Sequence, residues 1–287
     1  MAAPEQPISG VDFLQIIDSA VVAKQESTTV NVPQDVVETV TKNDFGWRSS
    51  TPGVKEWSMS HSGLIVNDSG DDFLGNNNAK LEIEADLGSG TPTWHTIQYI
   101  DSLEAVFEMG VGETGGLDKP LWRYVTPAQR SMDIDVEGSY LDLNADVGEE
   151  YDELWTRKVN GQTIKMRLAI AGKTFTASVS PGDFEISAEA EAEDAEISAS
   201  FESDGQVTEG GTDFGTGCEM ILDAFFGKNT VNAALEYQDQ GSTVSGSTIW
   251  TGSGYYTSIT LSVANEEHAS IDTEITGDGP LTPNTAS

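Results

Sequence analysis

The stretch Ile259–Thr282, ITLSVANEEHASIDTEITGDGPLT, occurs twice in this chain. Glu185–Thr208, EISAEAEAEDAEISASFESDGQVT, lies over it without a gap, so that Ala190, Glu193, Ile197, Asp204, Gly205 and Thr208 fall on Ala264, Glu267, Ile271, Asp278, Gly279 and Thr282. Apolar positions stay apolar, with Phe201 on Ile275 and Val207 on Leu281. Each copy alternates apolar and polar residues on both sides of a short acidic turn, which predicts a hairpin of two strands. In the first copy Ile186, Ala188, Ala190 and Ala192 share one face, and Glu189, Glu191 and Glu193 the other.

A second gapless match lies upstream of each hairpin. Tyr151–Ala169, YDELWTRKVNGQTIKMRLA, lies over Cys218–Glu236, CEMILDAFFGKNTVNAALE, and each reads as one short helix, a turn containing Gly, and a strand. The repeated unit is therefore helix, strand, hairpin. Thr126-Pro127 before the alternating run Met132–Leu143 echoes Thr51-Pro52 before Trp57–Val66, which extends the repeat to an earlier strand. The order of the parts implies an insertion. The first unit breaks near Asp71, and its helix comes only after Gly210, in GGTDFGTGCEMILDAFFG. Residues 1–72 with 209–287 then form one discontinuous domain, and residues 73–208 a related domain inserted into it. Each comes to roughly 130–140 residues, an ordinary domain size.

The 287 residues carry 48 acidic against 14 basic side chains, a net charge of −34, while 37% of them are hydrophobic. That is a folded chain with an acidic skin; disorder would require low hydrophobicity as well. The balance resembles that of proteins from extreme halophiles, whose molar salt screens self-repulsion over a Debye length of roughly 3 Å. It excludes gripping nucleic acid through its phosphates, which takes clustered Lys and Arg, but not enclosing it. The single cysteine, Cys218, permits no intrachain disulfide. No run predicts a transmembrane helix, and MAAPEQPISG predicts no signal peptide, so synthesis in the cytoplasm is expected.

Catalytic and metal motifs are weak. Gly110–Asp118 is read as a Gly-rich loop, in which Gly110, Gly112 and Gly115 spell G-x-G-x-x-G, but the following Gly116, Leu117, Asp118, Lys119 and Pro120 continue the loop and do not start the helix that a dinucleotide site needs. His61, His95 and His268 are far apart, with no metal or triad spacing. Asn67, Asp68, Asp71 and Asp72 form an oxygen-rich turn without EF-hand spacing. No cofactor, metal or catalytic residue is expected. Asn43–Glu56, NDFGWRSSTPGVKE, is read as a polar loop that holds Phe45 and Trp47, and a loop with large aromatics suits a contact surface.

Taken in order, ISGVDFLQIID, an alternating strand, VETVTKNDFGW, STPGVKEWSMSHSGLIV and the closing ITGDGPLT resemble the major tail tube proteins of long-tailed, non-contractile phages. The resemblance covers about half the chain directly and the rest through the repeat. It implies an all-β fold: two related tail-tube-type β-sandwich domains, each with one short flanking helix, whose sheets join edge to edge into a tube on oligomerisation. It also implies a virion tail component, assembled in the host cytoplasm from stacked rings, that conducts the viral genome without binding it specifically. Its partners would be itself and other tail proteins such as the tape-measure and terminator. In this family the long early loop reaches the adjacent ring, which makes Phe45, Trp47, Arg48, Pro52 and Gly53 candidate inter-ring contacts. Glu189, Glu191, Glu193, Glu266 and Glu267 are candidates for an acidic lumen or outer surface. Single-domain tube proteins form six-membered rings, so two domains per chain favour a trimer with pseudo-sixfold symmetry over a hexamer. A cell-surface β-domain of a halophile and a β-sandwich hydrolase with paired carboxylates are the alternatives.

Overall fold

The computed structural model describes residues 13–18, 20–21, 24–39, 49–65, 79–87, 90–114, 122–140, 149–170, 172–187, 195–211, 214–239, 242–264 and 268–286. The chain begins with β1 (Phe13–Ile17), β2 (Ala20–Val21), β3 (Lys24–Asn31), β4 (Gln34–Thr39), β5 (Ser49–Lys55) and β6 (Ser58–Leu64). It continues with β7 (Ala79–Ala85), β8 (Thr93–Thr96), β9 (Ile100–Glu113), β10 (Val125–Tyr140), α1 (Glu149–Val159), β11 (Ile164–Ile170), β12 (Lys173–Ser187), β13 (Ala195–Ser203) and β14 (Thr208–Gly210). It ends with α2 (Thr216–Gly227), β15 (Val231–Asp239), β16 (Ser242–Thr243), β17 (Thr248–Ala264), β18 (Ser270–Gly277) and β19 (Thr282–Thr285).

The fold is all-β with short flanking helices, as expected. Period-two burial runs along the strands: in β11 the residues Ile164, Met166, Leu168 and Ile170 are buried between more exposed neighbours. Helix α1 opens on Glu149, Glu150 and Asp152 and closes on Arg157 and Lys158, charges that suit its dipole. Helix α2 is more apolar and buries Cys218, Ile221, Leu222 and Phe225; Lys228 ends it in the left-handed conformation. Two expectations change. Ser49–Lys55 pairs with Gln34–Thr39, so the segment read as a loop is one arm of a hairpin. Gly110 and Gly112 lie within β9, where Gly112 pairs with Thr126 of β10 and Gly110 falls at the irregularity opposite Pro127–Arg130, so the Gly-rich run opens as a strand.

Two sets of strands pair by one scheme. In the first, β3, β6, β18 and the C-terminal half of β17 are neighbours in that order, while β1, β15, the N-terminal half of β17 and β19 form the other layer. In the second, β9, β10, β13 and the C-terminal half of β12 are neighbours, with β7, β11, the N-terminal half of β12 and β14 in the other layer. The correspondence holds residue by residue. Adding 75 carries the pairs Val30↔Met59 and Val36↔Pro52 onto Ala105↔Ile134 and Val111↔Pro127. It also carries the irregularity between Gln25 and Ser27 onto the bulge in β9 between Ile100 and Ser102.

The hairpin repeat needs one correction. Ile186 pairs with Ile197, and Leu261 with Ile271. Ile197 corresponds to Ile271 at an offset of 74, but Ile186 then requires 75 to meet Leu261. The gapless match holds for the second strand only, and the turn absorbs one residue. In a sheet a one-residue slip would move Ile186 to the opposite face, so packing decides against the better-looking alignment.

The core joins motifs far apart in sequence. Trp57, 1% exposed, lies against Gly252 and Gly277, and its indole N–H donates to the Gly279 carbonyl at 3.0 Å. Gly279 takes φ +90°, as its counterpart Gly205 takes +104°. In the second set Met132 and Ser203 replace Trp57 and Gly277, and the Ser203 hydroxyl accepts from the Met132 N–H at 2.8 Å. The smaller Met132 leaves room for a side chain that the indole would displace.

A second difference is titratable. His61 is 3% exposed, its Nδ1 lies 2.6 Å from the Thr273 hydroxyl, and its pKa falls to about 4 through burial. The corresponding residues, Val136 and Ala199, are apolar and buried. The folded state takes up its proton later than the unfolded state as pH falls. Stability therefore drops between the unfolded pKa near 6.5 and about 4, by up to about 3 kcal/mol. His61→Val with Thr273→Ala is expected to remove this component, which parallel denaturant titrations at pH 7 and 4.5 would read as a difference from wild type. An unchanged pH dependence would count against it.

Candidate functional site

The two sets share one sheet. The C-terminal half of β17 pairs with β9 from Ser258↔Glu108 through Ala264↔Ser102, which joins β3, β6, β18, β17, β9, β10, β13 and β12 into eight consecutive strands. One face of this sheet packs on the core through Ile259, Leu261, Leu103, Ala105, Phe107 and Ile134. Residues of the other parity point to solvent.

That solvent face is acidic. It carries Glu104 and Glu108 on β9, Asp133, Asp135 and Glu137 on β10, Glu196 and Glu202 on β13, Glu185 on β12, and Asp272 and Glu274 on β18. Ser and Thr fill much of the rest, and among the described side chains of this face there is no Lys or Arg. Asp133 pairs directly with Glu202. Partial burial, then Glu202, Glu108 and Asp135, push its carboxyl above the usual range. Like charges set directly opposite destabilise a sheet, so this face costs stability that a function must justify.

Both ends of the eight-stranded sheet are open among the described residues. At one end β3 pairs only with β6, and at the other Phe184–Ser187 of β12 pairs only with β13. Apolar side chains gather there: Val32 is 46% exposed at the first end, and Ile186 47% and Trp155 50% at the second, where Trp155 lies 5.7 Å from the Phe184 ring.

Charged groups lock the two sets together away from these edges. Arg123 pairs with Glu56 and Glu113. Lys173, 3% exposed, pairs with Glu209 and with Glu219 of α2, the latter at 2.6 Å. Burial lowers the Lys173 pKa, but the hydrogen bonds it donates to both carboxylates, and their charges, more than reverse it, so the ammonium stays charged. Glu209, Glu219 and Asp223 bring their carboxylate oxygens within 4.8 Å of one another, and Lys173 supplies the positive charge there.

Of the residues singled out from sequence, Pro52 and Gly53 lie on β5, beside the exposed Val36 and Val54. Phe45, Trp47, Arg48, Glu189, Glu191, Glu193, Glu266 and Glu267 lie outside the described residues. The acidic face has a signal in LEAVFEM and MDIDVEG, where acids alternate with apolar residues, but no single hairpin shows which strands become neighbours on it. Nothing in the sequence marked Ile186 as a free edge. Among the described residues no helix is long and apolar enough to cross a membrane.

The fold and surfaces define an all-β protein with a continuous sheet that is open at both ends among the described residues. The phage tail tube protein family matches residues 14–85. This bears out the resemblance read from the sequence over that stretch, and a tail tube protein is a structural component of the virion tail. Two solved structures are similar in fold: a chain in the tail of an empty gene transfer agent particle, determined by helical refinement with C6 symmetry, and a chain in the virion of a native gene transfer agent particle. Each is 13% identical with a TM-score of 0.40, and covers 47% of this chain and 96% or 98% of its own. No curated protein matches the chain.

Proposed function

We propose that the chain is the ring-forming subunit of a viral tail tube, with residues 1–72 and 209–287 as one tube domain and residues 73–208 as a second, inserted one. The observation that carries this is the continuous sheet, in which β17 of the first domain pairs with β9 of the second and, among the described residues, both outer edges stay open. Open edges invite another chain, and closure into a barrel removes them. Three chains supply six domains and close a pseudo-sixfold ring. At ~4.8 Å per strand their sheets give a barrel about 37 Å across between backbones, before strand tilt widens it. That is wide enough for duplex nucleic acid.

The acidic face lines the lumen in this reading. The other face of the sheet carries the second layer and the helices, which fit only outside a closed ring. A phosphate backbone moving along carboxylates, serines and threonines meets nothing that holds it. Tape-measure and terminator proteins are the expected tail partners, and the chain performs no catalysis. The β4–β5 hairpin, with Phe45, Trp47 and Arg48 between its arms, reaches the next ring.

Negative-stain electron microscopy and mass measurement in molar salt test this together. With 30.7 kDa per chain, a ring of about 92 kDa is expected. A ring of twice that mass would overturn the trimer, and compact monomers at every concentration would sink the tube reading. Trp47→Ala is expected to leave rings intact and shorten the stacks; stacks of normal length would remove the hairpin from the inter-ring contact.

A further inference from the structure

Resting on the tube reading, we propose that chains join by repeating the internal β17–β9 junction, with β12 of one copy pairing antiparallel to β3 of the next. The internal junction supplies the register. Subtracting 75 from both partners of Ile259↔Phe107, Thr260↔Val106, Leu261↔Ala105 and Ser262↔Glu104 gives Phe184↔Val32, Glu185↔Asn31, Ile186↔Val30 and Ser187↔Thr29. All eight of these residues lie at the two open ends.

Burial supports the equivalence. Ile259, Leu261 and Phe107 are 0% exposed inside the junction, whereas Ile186 and Val32, which correspond to Leu261 and Phe107, are 47% and 46% exposed. The helices follow the same rule. Leu222 of α2 is fully buried, and Phe226 stands 5.7 Å from the Phe107 ring across the junction; their counterparts on α1, Trp155 and Val159, are 50% and 66% exposed. Arg130 of β10 donates to the carbonyls of Phe225 and Phe226 at the end of α2. Its counterpart is Lys55, which the next copy would bring to the end of α1, where a cation is favourable. One end of the chain therefore lacks the partner that the other end provides. A second copy is the occupant because the junction already exists within the chain, with apolar contact and helix-end cation in corresponding places.

Disulfide trapping tests the join and its register. Asn31 and Glu185 are both exposed, so Asn31→Cys with Glu185→Cys leaves the fold undisturbed, and the native Cys218 is buried. Assembled in molar salt under mild oxidant, the double variant is expected to give a covalent species of three chains. The Thr29→Cys with Glu185→Cys control, displaced by two residues, is expected to give at least about tenfold less, because its Cα atoms stand too far apart. Rings that form without Asn31–Glu185 cross-links would overturn this join while leaving the tube reading intact. Cross-linking as strong in the displaced pair would overturn the register. Absence of both rings and cross-links would overturn the join together with the reading beneath it.

Discussion

Replacing Lys173 with methionine is expected to destabilise the chain by about 3–5 kcal/mol, the cost of removing one partner from a buried ion pair. The ammonium sits on β12 between Glu209 and Glu219, and only 3% of the residue is exposed. Methionine keeps the volume but leaves Glu209, Glu219 and Asp223 crowded within 4.8 Å without a cation. Glu219 belongs to α2 and Lys173 to the inserted segment, so the loss also loosens the contact between the two sets of strands. Denaturant unfolding near pH 7 reads the effect. Adding Glu219→Gln to the variant is expected to recover part of it, since an amide carries no charge to leave unpaired. A single variant within about 1 kcal/mol of wild type would show that the cluster finds its compensation elsewhere.

Trp57→Ala is expected to cost as much, about 3–5 kcal/mol, because it removes the largest fully buried side chain among the described residues. The loss has two parts, which two variants separate. Trp57→Phe keeps a ring against Gly252 and Gly277 but orphans the Gly279 carbonyl, for which about 1–3 kcal/mol is expected. Gly277→Ala keeps the indole and drives a Cβ to 2.2 Å from it. If Trp57→Met with Gly277→Ser, the pair that the second set uses, were no better than Trp57→Met alone, the two positions would not be matched as the fold implies. Thermal unfolding of the five variants decides it.

These variants also show where sequence reading stopped. Trp57 and the GDGPLT run were each visible, but their contact spans 222 residues and no local period encodes it. Ser49–Lys55 reads as part of a loop because Pro52 and Gly53 signal a turn. The partner strand β4 overrides that local preference. Ile186 reads as any alternating hydrophobic residue; its exposure follows because, among the described residues, no strand lies beyond this half of β12.

The all-β class came from the family resemblance, while by itself the sequence determined the alternating strands, the two short helices, the repeated helix–strand–hairpin unit and the acidic character of the surface. These rest on periodicity, composition and self-similarity, which are local or additive and survive without coordinates. Only the tertiary structure decided the one-residue correction in the hairpin, the gathering of scattered carboxylates on one sheet face, and the pairing of β17 with β9. Strand neighbours are chosen by packing between segments far apart in the chain, and a register shift of one residue leaves composition unchanged while reversing every side chain.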